Sequence, residues 1–171
     1  MESKLCRTVS LEEMAGAMNV PIRKARAIQE CRKYLDDGRV VGLFPEAHTA
    51  PFTAMRKAKS GVAMLALQTG APVLPVGLVD TQKVVPRKGG LPGRRWKAAS
   101  IRFGETLDFS KEAELFSKVD RRQSLDIMVG VSTIIMRAIA ALSGQEYTHG
   151  AKAFERMKKL ERQFAEAPAD A

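Results

Sequence analysis

The apolar positions along the chain follow two periodicities, and their order predicts helices alternating with buried strands. Ser10, three residues ahead of Glu13 and just before Met14 and Met18, has capping-box spacing and predicts the start of a short helix with a thin apolar face. From Lys24 to Asp37 the residues Ala27, Ile28, Cys31 and Leu35 fall at helical spacing, and Gly38 stands where such a helix stops. The short apolar run Arg39-Val40-Val41-Gly42-Leu43-Phe44, closed by Pro45, predicts a strand buried on both faces. A loop from Ala50 to Lys59 leads to a small-residue helix from Ser60 to Thr69, ended by Gly70. Pro72 to Val79 predicts a second buried strand. Pro75 inside it lacks a ladder donor, so that strand must be bulged or unpaired on one side there. Ala99 to Phe103 predicts a third strand, with Gly104 as its exit. Helices follow from Ser110 onward: a long one from about Asp120 to Leu142, and a basic amphipathic one from about Ala151 to Glu166. The fold class this implies is α/β, a mostly parallel sheet with helices on both faces.

Composition narrows the picture. The 171 residues are 45% hydrophobic and 27% charged, the make-up of a globular protein rather than a collagen, a mucin stalk or a disordered tail. A chain of this length buries roughly 70% of its unfolded surface, enough for one core. No internal repeat or linker divides it, so residues 1–171 read as a single domain. Cys6 and Cys31 have no C-x-x-C spacing and are too few for a disulfide framework, which favours a reducing, cytoplasmic setting. Met1 to Ser10 has no apolar stretch of the kind a secretory signal carries. The window from Gly61 to Val79 is broken by Gly70, Pro72 and Pro75, and that from Ile127 to Leu142 is short and contains Arg137, so neither is expected to cross a bilayer. Nothing has metal-ligand spacing.

The charge asks for a partner. Lys and Arg number 28 against 19 Asp and Glu, a net +9, which favours polyanions: a phospholipid surface, nucleic acid or an acidic carrier protein. Six basic residues and no acid lie between Lys83 and Lys97, around Trp96. The last helix sets Phe154, Met157, Leu160 and Phe164 on one side and Lys152, Arg156, Lys158, Lys159 and Arg162 elsewhere. A face of that kind either lies in a membrane interface or, the reading favoured here, packs on its own domain. No helix-turn-helix, RNP pattern or zinc knuckle is present, so no specific nucleic-acid partner is expected.

Only His48 and His149 offer an imidazole for proton transfer. His149, in the turn Tyr147-Thr148-His149-Gly150, has no carboxylate near in sequence to orient it and reads as a solvated loop residue. His48 follows a predicted buried strand in Phe44-Pro45-Glu46-Ala47-His48-Thr49, where ligands of open α/β sheets collect. Two residues apart in an extended exit segment, Glu46 and His48 point the same way and can share one ligand.

These residues carry a family resemblance. Val41-Gly42-Leu43-Phe44-Pro45-Glu46 resembles the strand opening the F-P-E-G-T-R block of the glycerolipid acyltransferases, the lysophosphatidate acyltransferase group. Lys59-Ser60-Gly61, Ala66 and Ala71-Pro72-Val73-Leu74-Pro75-Val76 resemble its K-x-G helix and V-P-x-x-P-V block. Ile101-Arg102-Phe103-Gly104-Glu105-Thr106-Leu107 resembles its V-x-x-G-x-P-I strand, and Ile135 to Leu142 with Glu146-Tyr147 resembles its closing helix and tail. Four blocks in order, from about Met18 to Gly150, make the resemblance specific.

The resemblance implies transfer of a fatty acyl group from acyl-CoA or acyl-carrier protein, as co-substrate and without a resident cofactor, to a lysophospholipid hydroxyl in phospholipid biosynthesis. It implies a substrate-binding set of Phe44, Pro45, Glu46, Ala47, His48, Thr49, Lys59 and Gly61. It places the protein in the cytoplasm, peripheral on the inner face of an anionic membrane. In that family an H-x-x-x-x-D motif upstream of the F-P-E block removes the hydroxyl proton, the aspartate holding the imidazole in its working tautomer. Five places after His48 and His149 stand Thr53 and Phe154, so no catalytic residue is assigned. The chain is expected to be inactive alone, an amino-terminally shortened enzyme or a relic. Ala47 replaces the family glycine and Thr49 the arginine, a neutral donor for a charged fork, which weakens phosphate affinity at that slot unless Arg56, Lys57 or Lys59 compensates. The other class of function is a non-catalytic basic module on anionic lipid or nucleic acid.

Overall fold

The computed structural model describes residues 22–47, 54–81 and 98–166. Among these lie five helices and one two-stranded sheet: α1 (Ile22–Asp36), α2 (Gly61–Thr69), β1 (Val76–Val79), β2 (Ser100–Phe103), α3 (Ser110–Lys118), α4 (Arg121–Ser143) and α5 (Ala151–Glu166). Sequence signals set most boundaries. Gly70 and Gly144 end α2 and α4 in the left-handed conformation, each donating its N–H back to the helix. Asp120 starts α4 with a complete capping box, its side chain accepting from the Gln123 N–H while the Gln123 side chain accepts from the Asp120 N–H. The helix predicted at Ser10 and the basic loop from Lys83 to Lys97 lie outside the described residues.

α4 is the axis of the core. Ile127, Val131 and Ile135 on it are essentially fully buried, packed with Met64 and Leu67 of α2, Leu115 of α3 and Met157 of α5, and Met136, equally buried, packs in a second cluster with Met55 and Ala140. By length and composition this 23-residue helix is apolar enough to cross a membrane. Half of its most apolar stretch is buried against α2, α3, α5 and β1, the arrangement of a core helix. α5 lays most of its apolar stripe on the domain: Ala153 and Met157 are buried and Phe154 and Leu160 pack on the core, while Phe164 is 43% exposed. Arg156 and Asp126 join α5 to α4 through two charge-assisted hydrogen bonds of 2.6 Å each.

The sheet corrects the expected fold class. β1 and β2 are antiparallel, with Val76 opposite Phe103 and Val79 opposite Ser100, and no parallel sheet is present among the described residues. Arg39 to Phe44, expected as a strand buried on both faces, runs outside any sheet, with Val40 97% and Phe44 80% exposed. Its apolar residues suit a sheet interior, but a strand needs a neighbour to take its N–H and C=O groups, and the described residues bring none beside it. Pro75 behaves as expected. The three steps from Val73 to Val76 face four from Phe103 to Leu107, so the bulge falls opposite the proline, whose carbonyl accepts from the Gly104 N–H at 3.0 Å.

Among the described residues only one face of the strand pair is covered. Gly77 lies so close to the end of α4 that a Cβ there would stand 2.6 Å from Leu142 Cβ and 2.8 Å from its carbonyl carbon. Its cross-strand partner Arg102 donates to the Leu142 carbonyl at 3.1 Å. The other face presents Leu78, Ile101 and Phe103, the last two 62% and 67% exposed. Helices on both faces of a sheet are therefore not observed among the described residues.

Candidate functional site

Three segments distant in sequence meet at the end of the 39–44 run. Phe44 to Ala47 make a turn, closed by the Ala47 N–H on the Phe44 carbonyl at 3.1 Å. Ala47 has φ +57°, a left-handed conformation that costs an L-residue roughly 1–2 kcal/mol and a glycine nothing. That is the position where the resembled block carries glycine. The turn is held from one side by residues 54–60: the Lys59 N–H donates to the Pro45 carbonyl at 2.8 Å, and the Arg56 N–H donates to Glu46 Oε2 at 2.8 Å. The same segment is held by the α4–α5 connection. Ala54 bridges Glu146, the Met55 N–H donates to the Glu146 carbonyl at 3.0 Å, and the Ala58 N–H reaches Tyr147 Oη at 3.4 Å.

A cavity of about 320 Å³ opens between residues 57–60 and α4. Its wall on α4 is Leu125, Met128, Val129 and Ser132, which follow the i, i+3, i+4, i+7 spacing of one helix face. Tyr147 and Gly150 close one end, and Lys57 and Lys59 stand exposed on the opposite lip. Burial pushes the Tyr147 hydroxyl above its ordinary value; the Ala58 N–H and Arg137 act against that, and the Glu46 carboxylate adds to it. Glu46 is thus close enough to act electrostatically on the phenol. A second cavity, about 560 Å³, lies between α3 and α5. There Lys158 pairs with Glu161 at 2.7 Å, and burial, reinforced by Glu161, raises the Glu112 carboxyl.

Of the residues expected to bind substrate, Pro45, Glu46, Ala47 and Lys59 are brought together. Phe44 adjoins them in the turn but points into solvent. Gly61 is spoken for by packing, since a Cβ there would stand 3.1 Å from Ile28 Cδ1 of α1. His48 and Thr49 lie outside the described residues. His149 is exposed, as expected, with its ring edge-on to Tyr147 at 5.5 Å between centroids. No group of three or more metal-binding side chains occurs among the described residues. Sequence reading missed the α4 wall and Ser132. A hydroxyl ending an apolar stripe at helical spacing was the available signal.

Residues 9–79, under half of the chain, match the family model described as Acyltransferase. The matched span holds the Pro45-Glu46 turn, the 54–60 segment and α2. It supports the glycerolipid acyltransferase resemblance at the two motif blocks it contains, Val41 to Glu46 and Lys59 to Val76, and a general acyltransferase role, while the blocks at 101–107 and 135–147 lie outside it. No curated protein and no solved structure matches the chain.

Proposed function

We propose that this chain carries the acceptor side of a lysophosphatidate-type acyltransferase of phospholipid biosynthesis, and that by itself it does not turn substrate over. The observation that carries the reading is the closure of the Phe-Pro-Glu turn on the K-x-G segment. The Pro45 carbonyl and the Glu46 carboxylate both accept backbone N–H groups from residues 56–59, inside the matched span. That closure ties Glu46 to residues 56–59, of which Lys57, Ala58 and Lys59 line a cavity with an apolar wall and a basic lip, a shape suited to a lysophospholipid with its charged head outward. The acyl donor in this reading is acyl-CoA or acyl-carrier protein, and the residues offered to the acceptor are Pro45, Glu46, Ala47, His48, Thr49 and Lys59. The place of work is the cytoplasmic face of an anionic membrane. Exposed Val40, Leu43 and Phe44 beside Arg39, on a chain of net charge +9, suit such a surface.

The proposed inactivity rests on proton transfer. An alcohol attacks a thioester only when a base takes its proton, and among the described residues the imidazole is His149, exposed and with no carboxylate hydrogen-bonded to it. Radiolabelled acyl transfer from acyl-CoA and from acyl-carrier protein to lysophosphatidate tests the reading. No transfer by this chain is expected. Clear turnover overturns the inactivity and directs attention to His48, to be tested as His48→Ala. A non-catalytic lipid-surface role, favoured by the same exposed apolar residues, is separated by liposome sedimentation against a DNA shift at matched salt, since only the former depends on anionic headgroups.

A further inference from the structure

We infer that α3 and α5 are latched by one proton shared between Glu112 and Glu161, carried on the Glu112 carboxyl and hydrogen-bonded to Glu161 Oε1, so that the end of α5 closes in mild acid and loosens when the proton leaves. The two glutamates line the same cavity of about 560 Å³, Glu112 from the first turn of α3 and Glu161 from the last turns of α5. Glu161 pairs with Lys158 through Oε2 at 2.7 Å, so it is present as a carboxylate and can only accept. Its other oxygen, Oε1, is sealed from solvent and has no hydrogen-bond partner among the described residues. A sealed acceptor left unpaired is costly, and the donor that satisfies it has to come from a neighbouring side chain, because neither solvent nor a ligand reaches it.

The charges packed around the pair decide which side chain supplies that donor. On α3, Lys118 is held by Glu114 at 2.6 Å and Lys111 stands exposed. On α5, Lys158 already sits on Oε2 and Arg162 stands exposed. α2, packed against α3, carries no titratable side chain. On α4, Asp126 is taken up by Arg156, while Arg121, Arg122 and Arg137 are exposed. Glu112 remains, partly buried and with no cation hydrogen-bonded to it among the described residues. Burial first, then the charge of Glu161 and that of Asp108, raise its carboxyl above the ordinary glutamate value, with Lys158 acting against them. Protonated, it carries the one O–H that Oε1 lacks; ionised, it puts a second negative charge into the cavity and repels Glu161. The folded-state value lies above the unfolded one, so the latch is fully made below the ordinary glutamate value and is lost as pH rises through the raised one. Neither glutamate is among the residues offered to substrate, so the latch stands apart from the function proposed above.

Amide hydrogen exchange of the intact chain between about pH 4 and about pH 8, corrected for intrinsic rates, tests the latch, with the core amides from Val131 to Met136 of α4 as internal reference. Protection from Arg162 to Glu166 is expected to fall about tenfold as pH rises through the raised glutamate value, while the reference holds. Glu112→Gln puts a permanent N–H donor at the same place and is expected to keep the acid-form protection at every pH. Glu112→Ala offers no donor and is expected to show the neutral-form protection even in acid. Protection at the end of α5 that does not change with pH in the unmodified chain, or a Glu112 side-chain carbon signal that titrates at the ordinary glutamate value, overturns the shared proton without recourse to any variant. Glutamine and alanine variants that behave alike overturn it as well, since burial of the carboxyl alone does not distinguish them. A loss that appears equally from Val131 to Met136 is global unfolding and overturns the latch as a local device.

Discussion

Gly130 on α4 faces Met157 on α5, both buried, and replacing each in turn gives a stability cycle whose terms the structure sets in advance. A Cβ on Gly130 overlaps the Met157 sulphur and stands 3.0 Å from both Met157 Cβ and Cε. Two effects compete in Gly130→Ala. Alanine is favoured over glycine inside a helix by about 1 kcal/mol, while overpacking costs about 1–3 kcal/mol. The sulphur and Cε belong to a flexible side chain and can swing aside. Cβ is fixed to the α5 backbone and cannot, so the clash is expected to win by about 1 kcal/mol, a fall of roughly 2–4 °C in melting temperature for a chain of this size. Met157→Ala empties a fully buried site and is expected to cost about 2–5 kcal/mol. In the double variant the new methyl enters space the thioether has left. The combined loss should therefore fall short of the sum of the single losses by at least about 1 kcal/mol. Urea unfolding of the four proteins, followed by circular dichroism and tryptophan fluorescence to check two-state behaviour, supplies the numbers. Additivity within about 0.5 kcal/mol, or a Gly130→Ala protein stabilised by its full helix-propensity gain, refutes the close approach of α4 and α5.

Other outcomes follow from the same structure. Ala47→Gly relieves left-handed strain of about 1–2 kcal/mol and adds unfolded-state freedom of about 0.5–1 kcal/mol, so urea midpoints should show a gain of up to about 1 kcal/mol; a loss would mean that Ala47 is not left-handed. Glu112 has its carboxyl raised by burial, so the folded state holds that proton more tightly than the unfolded state does. Stability from this group is present below the ordinary glutamate value and is lost as pH climbs through the raised one. Glu112→Gln should flatten that decline in a melting-temperature profile, and an unchanged profile counts against the buried carboxyl. Asp108 behaves oppositely: its hydrogen bonds from the Ser110 hydroxyl and N–H hold it low, so the support it gives the start of α3 persists above the ordinary aspartate value and is lost in acid, most visibly in helix content. Ile101→Ser with Phe103→Ser on the uncovered sheet face should reduce self-association in sedimentation velocity, and a wild-type chain that stays monomeric at high concentration speaks against exposure of that face.

How much could be read before any coordinates depended on whether a signal was local. Helix ends were legible because capping is decided within one turn. Gly70 and Asp120 stand where expected, and the expected span of the last helix, Ala151–Glu166, agrees with the structure. The bulge at Pro75 was legible for the same reason, a missing N–H being a property of one residue. The candidate site was half legible. The Phe44 to Ala47 turn and Lys59 were singled out by motif, whereas Tyr147 enters through a contact 89 residues away, at Ala58, and the α4 wall faces residues 57–60 from far along the chain as well, separations that no window contains.

What the residues alone settled, then, was the inventory: where helices start and stop, which stripe of each is apolar, the excess of positive charge, and the acyltransferase blocks. Their periodicity is fixed by backbone geometry and side-chain polarity, both present in the unfolded chain. Strand partners are not. A buried-looking run such as Val40 to Phe44 states only that it suits a sheet; whether it joins one, in which direction, and which face is then covered depends on neighbours supplied by the rest of the fold. For this chain only tertiary structure could decide that β1 pairs antiparallel with β2, that one face rests on α4, and that an unpaired serine ends up at the wall of a basic-lipped cavity.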